Sequence, residues 1–227
     1  ECVGIVCSSV LSPMKPGCFA GPIPGTGAKV VNEDGETLGP GEVGELVMTE
    51  PSIGNTRGIW RDDARYIENY WSMFPGMWRQ GDWATVDADG MWFLLGRSDD
   101  TINVSGKRTG PSEIEGALME TAKIVEAAVI GVPDDIKGSA VCCVCTPMPG
   151  VVVDEALRVE LSKTIVQKLG ASYRPKQIIF VSDLPKTRNL KIMRRLVRAV
   201  ILGQPEGDLT SLVNPEAVHE LREHARN

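Results

Sequence analysis

The sequence predicts an α+β protein in two parts: a β-rich region over residues 1–98, then an α+β domain over residues 99–227 whose sheet is covered by helices. In the first 60 residues, Gly and Pro separate short apolar runs, a pattern typical of short antiparallel strands. Beyond residue 99, strand-like runs alternate with amphipathic helical patterns. Residues 1–98 carry 7 basic and 13 acidic residues and all five tryptophans, whereas residues 99–227 carry 17 of each charge. Both asymmetries indicate a boundary near residue 98.

The first part is predicted to contain strands, one short helix and a hairpin. The short apolar runs are Cys2–Cys7, Ala28–Val31 and Val43–Met48. A helix is predicted over Asp62–Trp71, because two aspartates can cap its start and apolar residues recur on one face. The Asp-Gly turn signal of Asp87–Gly90 joins two further apolar runs into a predicted hairpin of Trp78–Val86 with Met91–Leu95.

The second part is predicted to contain four strands and four helices. The predicted strands are Ile102–Val104, Ile124–Val132, Val141–Cys145 and Gln177–Val181. Pro111 opens one helix, since proline is favoured in a first turn. A second helix, Asp154–Leu169, carries a leucine-rich stripe at helical spacing. Two more helices are predicted over Ile192–Leu202 and Pro215–His224.

Composition excludes several functional classes. With 42% hydrophobic and 24% charged residues and a net charge of −6, the chain is globular and lacks the basic excess of nucleic-acid-binding proteins. No apolar run approaches the roughly 20 residues of a membrane span, and no leader pattern is visible. Six cysteines and two C-terminal histidines match no zinc spacing, and cysteines in apolar runs predict a reduced, cytoplasmic protein. The chain begins at Glu1 and not at Met, so we expect its natural start to be missing.

Three polar segments could carry chemistry. Gln80–Trp83 presents an acid between glycine and an aromatic residue, which can offer two oxygens to a diol or simply cap a turn. Gly96–Arg108 combines glycines, basic residues and two adjacent aspartates, as a polyanion-gripping connection or a solvated linker would. Leu184–Arg195, extended to Arg198, holds six basic residues and no acid, which favours phosphate contacts or a basic helix start on a solvated face.

In this order and spacing, three runs resemble the C-terminal part of an AMP-forming acyl-CoA synthetase of the adenylate-forming superfamily: Trp78–Trp83, Gly96–Arg108 and Leu184–Arg195. Thr56–Trp60, Tyr70–Ser72 and Pro75–Trp78 are similar to the acetyl-CoA synthetase-like branch. The resemblance covers essentially the whole chain. It implies that residues 1–98 are the β-rich last subdomain of a large adenylating domain, and that residues 99–227 are a mobile C-terminal domain.

The resemblance also implies roles for individual residues. Asp82 would bind the ribose hydroxyls of ATP or AMP, and Arg97 would contact the ribose or phosphate region. Asp99 would be the hinge about which the small domain rotates. Gly106 would line the pantetheine tunnel, and Arg108 would face the ATP phosphates.

Two further roles concern the ends of the chain. Lys191 would be the adenylation lysine, which bridges the attacking carboxylate and the α-phosphate. The family usually has Ser-Gly or a similar small residue just before this lysine, whereas this sequence has Asn189-Leu190, so the approach of the loop is expected to differ. Glu1 corresponds to an acid that helps to hold Mg²⁺.

The implied activity is that of an acid:CoA ligase. It would activate a short carboxylic acid with ATP and Mg²⁺ to an acyl-adenylate and then transfer the acyl group to CoA, while this fragment alone is expected to be inactive. A protein acetyltransferase acting on Lys191 is a possible further partner, because acetylation removes the charge. Two alternatives stay open: a non-catalytic nucleotide- or CoA-binding or interaction module, and an adenylating enzyme that loads a carrier-protein thiol.

Overall fold

A computed structural model describes residues 7–8, 13, 15–104 and 107–225, without the side chains of residues 107 and 108. Contacts within the chain divide it into two compact units, Glu1–Asp99 and Asp100–Asn227. Each unit has its own sheet and its own core.

The first unit is built on an antiparallel sheet of four strands in the order β3-β4-β5-β6. Its elements are β1 (Cys7–Ser8), β2 (Gly21–Pro22), β3 (Ala28–Val31), β4 (Val43–Met48), α1 (Asp63–Tyr70), β5 (Trp78–Val86) and β6 (Trp92–Arg97). Asp62 caps α1 by accepting a hydrogen bond from the backbone N–H of Arg65 at 3.2 Å. The helix packs through Tyr70, whose ring stacks on buried Trp78 with centroids 5.1 Å apart.

The second unit places helices on both faces of a five-stranded sheet. Its elements are β7 (Ile102–Val104), β8 (Lys107–Thr109), α2 (Pro111–Met119), β9 (Ile124–Asp134), β10 (Gly138–Pro147), α3 (Glu155–Leu169), a 3₁₀ turn (Ala171–Tyr173), β11 (Gln177–Phe180), α4 (Arg194–Ile201) and α5 (Pro215–Ala225). Strand β10 pairs antiparallel with β9 and β7 and parallel with β11, and β7 pairs with β8.

Alternation along β9 and β10 gives the sheet of the second unit two apolar faces. On one face, Val129 and Cys143 pack with Ile114 of α2 and with Leu161 of α3. On the other face, the cluster is formed by alternate residues of the same strands and by α4 and α5: Ala128, Ile130, Cys142, Val144, Leu196, Val197, Val200, Val218 and Leu221. The predicted α+β class, with a sheet covered by helices, is confirmed.

The structure differs from the predicted elements at short or polar segments. Strands β1, β2 and β8 consist of two or three residues, too few for a periodic pattern to show. Apart from Cys7, the predicted strand Cys2–Cys7 lies outside the described residues. The helix predicted from Ile192 begins only at Arg194, because Ile192 forms a β-bridge with Lys186.

The described cysteines are buried thiols. Burial raises the pKa of Cys142 and of Cys145 to about 12, so both stay protonated at neutral pH. Among the helices of the described residues, none combines the length and the apolar character that a membrane crossing needs.

Candidate functional site

Asp82 and Arg97 lie opposite each other on neighbouring strands of the first unit. The register pairs Asp82 of β5 with Arg97 of β6, and Arg97 Nη1 lies 3.9 Å from Asp82 Oδ1. The guanidinium also donates two hydrogen bonds to Asp99, from Nε to Oδ1 at 2.9 Å and from Nη2 to Oδ2 at 3.1 Å. A third donor, Nη1, reaches the carbonyl oxygen of Gln80 at 3.2 Å. One arginine therefore connects the predicted ribose-binding acid with the predicted hinge acid.

Gly81 makes room for this guanidinium. Its φ of +81° is a left-handed conformation that glycine adopts without strain. A Cβ built on Gly81 would lie 2.7 Å from Nη2 of Arg97 and 3.1 Å from its Cζ, closer than non-bonded atoms approach. Any side chain at this position would therefore displace the guanidinium of Arg97.

A buried polar network lies next to this cluster. Glu45 of β4 accepts a hydrogen bond from Ser98 Oγ at 2.8 Å, and Ser98 Oγ accepts one from Arg79 Nη2, also at 2.8 Å. Arg79 Nε lies 3.1 Å from Glu45 Oε1, but its N–H is not directed at that oxygen and makes no hydrogen bond with the described residues. Burial raises the pKa of Glu45, against the hydrogen bond from Ser98 and the charge of Arg79, and the charge of Asp82 raises it further.

The network is joined to the site through the backbone, because Ser98 N–H donates to the carbonyl of Gly81 at 3.0 Å. Through this bond Ser98 keeps the backbone at Arg97 and Asp99 next to β5, the strand that carries Asp82. Sequence reasoning did not single out Glu45 or Arg79. The one sequence signal for a buried polar network is Glu45, an acid inside the apolar run Val43–Met48. Charged residues are rare in buried strands, so an acid in such a run indicates a specific partner.

In the second unit, Lys191 follows the tip of a small hairpin. Lys186 and Ile192 form its bridge pair, Thr187 N–H donates to the carbonyl of Lys191 at 2.9 Å, and Lys191 N–H donates to Thr187 Oγ1 at 3.2 Å. A turn closes the loop, because Leu190 N–H donates to the carbonyl of Thr187 at 2.8 Å. The side chain of Lys191 is exposed.

Leu190 has a left-handed backbone with φ +59° and a 73% exposed side chain. In three-residue hairpin loops, the residue after the turn commonly takes this conformation and is commonly glycine. Leucine at this position is strained by its Cβ, by about 1–2 kcal/mol. Leu190 therefore occupies this left-handed position at a cost in backbone strain.

The six basic residues of segment 184–198 are not equivalent. Lys186 pairs with Asp183 and with Glu126, whose Oε2 lies 2.6 Å from its Nζ. Arg194 donates to both oxygens of Glu115, at 2.8 and 2.6 Å.

Arg198 donates to the carbonyl of Gly131 at 3.1 Å. Together with Lys186 and Arg194, it is engaged within the second unit. Arg194 begins α4, where a positive charge opposes the helix dipole, and its pairing with Glu115, 4% exposed in α2, compensates for that position.

Three predicted site residues, Glu1, Gly106 and Arg108, lie wholly or partly outside the described residues. Glu1 and Gly106 lie outside the described residues, and the side chain of Arg108 does too, although its backbone pairs with Asn103. Within the described ranges, no three His, Cys, Asp or Glu side chains gather as a metal centre would require. Asp82, Arg97 and Asp99 thus form one cluster in the first unit, and Lys191 stands on its hairpin in the second.

Comparison with known proteins gives a consistent result. Residues 113–191 match the AMP-binding enzyme C-terminal domain. An acetyl-coenzyme A synthetase from Pyrobaculum arsenaticum is 45% identical over 226 residues, which cover 98% of this chain and 34% of that protein. The structure of an acetoacetyl-CoA synthetase from Streptomyces lividans matches with a TM-score of 0.80 and 31% identity, over 92% of this chain and 32% of that one. An anthranilate CoA ligase in complex with anthranoyl-AMP matches with a TM-score of 0.70 and 30% identity, over 86% and 37%.

The fold is that of the C-terminal part of an adenylate-forming enzyme. Within that class, the chain belongs to the AMP-forming acyl-CoA synthetases, in their acetyl-CoA synthetase-like branch. It spans about a third of the length of the relatives that it matches.

Proposed function

We propose that this chain provides the ribose-binding acid and the adenylation lysine of an acid:CoA ligase that activates a short carboxylic acid with ATP. The observation that carries the proposal is the paired position of Asp82 and Arg97 on adjacent strands, with 3.9 Å between Nη1 and Oδ1. The two carboxylate oxygens of Asp82 suit the adjacent hydroxyls of a ribose, and a guanidinium donates well to phosphate oxygens. An acceptor and a donor side by side match the sugar and the phosphate of one nucleotide.

The reaction has two halves. In the first, an oxygen of the acid attacks the α-phosphorus of ATP, an O–P bond forms, and pyrophosphate leaves with the electron pair of the broken P–O bond. In the second, the thiol of CoA loses its proton and attacks the acyl carbon, and AMP leaves. We assign Asp99 as the pivot between the halves, with residues 1–98 as the end of the large domain and residues 99–227 as the mobile domain.

Lys191 would act in the first half. Two anions approach each other in that step, and a cation held between them stabilises the transition state. The exposed side chain after the hairpin tip allows Lys191 to enter a site formed with other parts of the enzyme. Mg²⁺ held partly by Glu1 would neutralise the phosphates, Arg108 would face them, and Gly106 would leave space for the pantetheine arm.

The relatives support the class of chemistry. The anthranilate CoA ligase is described in complex with anthranoyl-AMP, an acyl-adenylate. Because this chain spans a third of its relatives, the activity is proposed for an enzyme that also contains the other two thirds. Its substrates would be a small carboxylic acid, ATP and CoA, its location the cytoplasm, and an acetyltransferase that modifies Lys191 would switch off the first half.

The test separates the two halves in an enzyme of the full length of the relatives. Lys191→Ala should lower acid-dependent pyrophosphate release by about 10²–10³-fold, as removal of one preorganised charge does. Thioester formation from supplied acyl-adenylate and CoA should stay within about twofold of the unmodified enzyme. Lys29→Ala, at an exposed lysine of β3, is the matched control and should change neither half.

Three outcomes would contradict the proposal. Near-normal pyrophosphate release by Lys191→Ala would remove the lysine from the step, and the neighbouring exposed Arg188 would be the next candidate. Absence of any acid-dependent pyrophosphate release by the unmodified enzyme would favour a non-catalytic module. Release that occurs without CoA thioester formation would instead indicate another acyl acceptor, such as a carrier-protein thiol.

A further inference from the structure

Asn214 occupies an unusual place at the start of α5. It immediately precedes Pro215, the first residue of the helix, and its own carbonyl accepts from Ala217 N–H at 3.1 Å. Its side chain is directed at the segment that leads into the Lys191 hairpin. Asn214 is 7% exposed, so each polar contact that it makes is shielded from water.

Three hydrogen bonds join the Asn214 side chain to that segment. Its Oδ1 accepts from the backbone N–H of Lys186 at 2.9 Å. Its Nδ2 donates to Asp183 Oδ2 at 2.7 Å and to the carbonyl of Leu184 at 2.8 Å. An asparagine amide has two donors and one acceptor oxygen, so a single side chain fixes both backbone groups and one carboxylate.

The backbone of residues 212–213, just before Asn214, also binds the first strand of the hairpin. Val213 N–H donates to the carbonyl of Lys186 at 3.1 Å, and Thr187 forms an antiparallel bridge with Leu212. The first strand of the hairpin is therefore held on one side by residues 191–192 and on the other by residues 212–214. Only the tip is outside this arrangement.

The ion pairs of Lys186 and the hydrogen bonds of Asn214 together form a frame that holds the first strand of the hairpin. Its ammonium group, 14% exposed, lies between Asp183 and Glu126. Burial works against the charge, but the hydrogen bonds from its Nζ to the two carboxylates outweigh burial and raise the pKa of Lys186. Lys186 therefore stays charged and bound to the sheet through Glu126 of β9, while Asn214 binds the same segment to α5.

We infer that Asn214 is a positioning residue that sets the place of Lys191 through the segment Asp183–Thr187. The inference rests on the proposed adenylation role of Lys191. A lysine that must lie between two anions is sensitive to displacement, and an error of about 1 Å in a catalytic group can lower the rate about 10²-fold. The buried amide binds two backbone groups of the segment that leads into the hairpin, the N–H of Lys186 and the carbonyl of Leu184, so we expect the place of the hairpin to depend on it.

The experiment uses the full-length enzyme and three variants. Asn214→Ala removes all three hydrogen bonds. Val218→Ala, one turn further along α5, removes buried methyl groups without touching a polar contact of the hairpin, and so controls for loss of stability. Lys191→Ala tests the proposed function in the same assay.

We expect Asn214→Ala to lower the kcat of acid-dependent pyrophosphate release by about 10- to 100-fold. The KM for ATP should change less than threefold, and thioester formation from supplied acyl-adenylate should persist. Amide hydrogen exchange at Leu190 and Lys191, whose N–H groups donate within the loop, should accelerate at least tenfold in Asn214→Ala and remain near normal in Val218→Ala. If the only effect were a general loss of stability, kcat and amide exchange would change alike in Asn214→Ala and Val218→Ala.

An exchange of the two partners sharpens the test. Asn214→Asp places a carboxylate against Asp183, where the oxygens would lie as close as the present 2.7 Å contact, and should impair the enzyme at least as much as alanine. Combining it with Asp183→Asn restores a donor and an acceptor at the same total charge, and should recover at least threefold of the lost kcat. Recovery of this kind would show that the hydrogen bond between the two side chains, and not either residue alone, carries the effect.

The outcomes separate this inference from the proposed function. If Lys191→Ala releases pyrophosphate normally, both are overturned. If Lys191→Ala abolishes release but Asn214→Ala leaves kcat and the amide exchange of the hairpin unchanged, the inference alone is wrong. If Val218→Ala reproduces every effect of Asn214→Ala, stability and not positioning is the cause, and the inference is also wrong.

Discussion

The Asp82 cluster and the Lys191 hairpin are supported in opposite ways. Asp82, Arg97 and Asp99 lie within 18 residues of sequence, on two adjacent strands and the turn that follows the second, and Arg97 contacts both aspartates. The Lys191 hairpin is held to the second unit by residues far from it in sequence, among them Glu126 of β9 and Asn214 before α5. The first site is local and self-contained, whereas the second depends on remote residues. Substitutions should therefore act locally in the first unit and spread through the second.

The two buried glutamates show the same contrast. Arg194 binds both oxygens of Glu115, one of which also accepts from Val129 N–H at 3.0 Å. These hydrogen bonds outweigh the effect of burial and raise the pKa of Arg194. Glu45, in contrast, accepts from Ser98 and has Arg79 beside it without a well-directed bond from Nε, and burial raises its pKa. The buried charge of Glu115 is therefore balanced by Arg194 and by hydrogen bonds to both of its oxygens. The buried charge of Glu45 is balanced only in part.

The largest expected effect is that of Glu115→Ala. It leaves the half-buried Arg194 without its carboxylate and Val129 N–H without an acceptor, and loss of one partner of a buried pair costs about 3–5 kcal/mol in the free energy of unfolding. Urea denaturation followed by circular dichroism at 222 nm reports mainly the second unit, which contains four of the five described helices. Tryptophan emission reports the first unit, because all five tryptophans lie there.

Glu120→Ala is the control for Glu115→Ala. Glu120 lies at the end of the same helix and pairs with Lys168 at the surface, so its loss should change stability by less than about 1 kcal/mol. The tryptophan transition should move little in either variant. A loss below 1 kcal/mol in Glu115→Ala, or an equal shift of the tryptophan transition, would show that the second unit is not organised around this pair.

The second expected effect concerns Gly81→Ala. The added methyl group meets the guanidinium of Arg97 at 2.7 Å, so we expect Arg97 to move and the KM for ATP of the full-length enzyme to rise on the order of 10-fold, ~1.4 kcal/mol. Gly90→Ala is a matched control, because Gly90 has φ +80° and a Cβ there meets nothing within 4 Å. Both variants strain the backbone alike, and only one displaces Arg97. Equal KM values in the two variants would contradict a nucleotide role for Arg97.

How far the sequence predicts each region follows from this contrast. The Asp-Gly turn signal predicts a hairpin that places Asp82 on its first strand, but the predicted second strand ends at Leu95, before Arg97. Counting back from the turn would pair Asp82 with Gly96, and the irregularity between Trp83 and Ala84 shifts the register by one residue and brings Arg97 opposite Asp82. No local pattern links Asn214 to Lys186 or Glu115 to Arg194, since those contacts depend on how helices pack on a sheet. Their only sequence signal is a polar residue inside an apolar pattern, such as Glu115 beside Ile114 in α2.

Hairpin tips are a second limit of sequence reasoning. The basic run after Leu184 predicts a helix from Ile192, but Ile192 instead pairs with Lys186, and that pairing is fixed by residues 212–214 some twenty positions later. The unusual Asn189-Leu190 sequence is visible at once, whereas its left-handed backbone is not.

A smaller effect is expected from the pH dependence of Glu45→Gln. The raised pKa of folded Glu45 means that its protonated form is favoured by folding, so its contribution is complete below the ordinary value of 4.5 and is lost as the pH rises through the folded pKa. The unfolding free energy of the unmodified chain relative to Glu45→Gln should therefore fall as the pH rises above 4.5. At neutral pH the two should differ by less than about 2 kcal/mol, because loss of the ion pair with Arg79 opposes relief of the buried charge.

Tryptophan emission during urea denaturation at a series of pH values measures this difference. Comparison with the glutamine variant cancels the titration of groups that do not interact with Glu45. A relative stability that rises with pH would mean that Ser98 and Arg79 compensate the carboxylate fully. In that case the two buried glutamates would be alike, and the contrast between the units would fail at this point.

The smallest effect is expected at the hairpin tip, from Leu190→Gly. Leucine at φ +59° carries about 1–2 kcal/mol of backbone strain, while glycine adds roughly 0.5–1 kcal/mol of entropy to the unfolded chain, so the net gain should lie between about 0 and 1.5 kcal/mol. Little packing is lost because the side chain is 73% exposed. Each 1 kcal/mol of gain raises the melting temperature of a domain of this size by about 4 °C.

Leu190→Asn separates strain from side-chain contacts, because asparagine keeps a Cβ and still tolerates the left-handed region. It should give a smaller gain than glycine, and the amide exchange of Lys191 should be unchanged in both variants, since the frame around Asn214 and Lys186 is untouched. If both variants lower the melting temperature, then Leu190 contributes contacts that outweigh its strain. Lys191 would then be positioned by contacts within its own loop as well as by Asn214 and Lys186. In that case the Lys191 hairpin would resemble the Asp82 cluster, whose residues position one another.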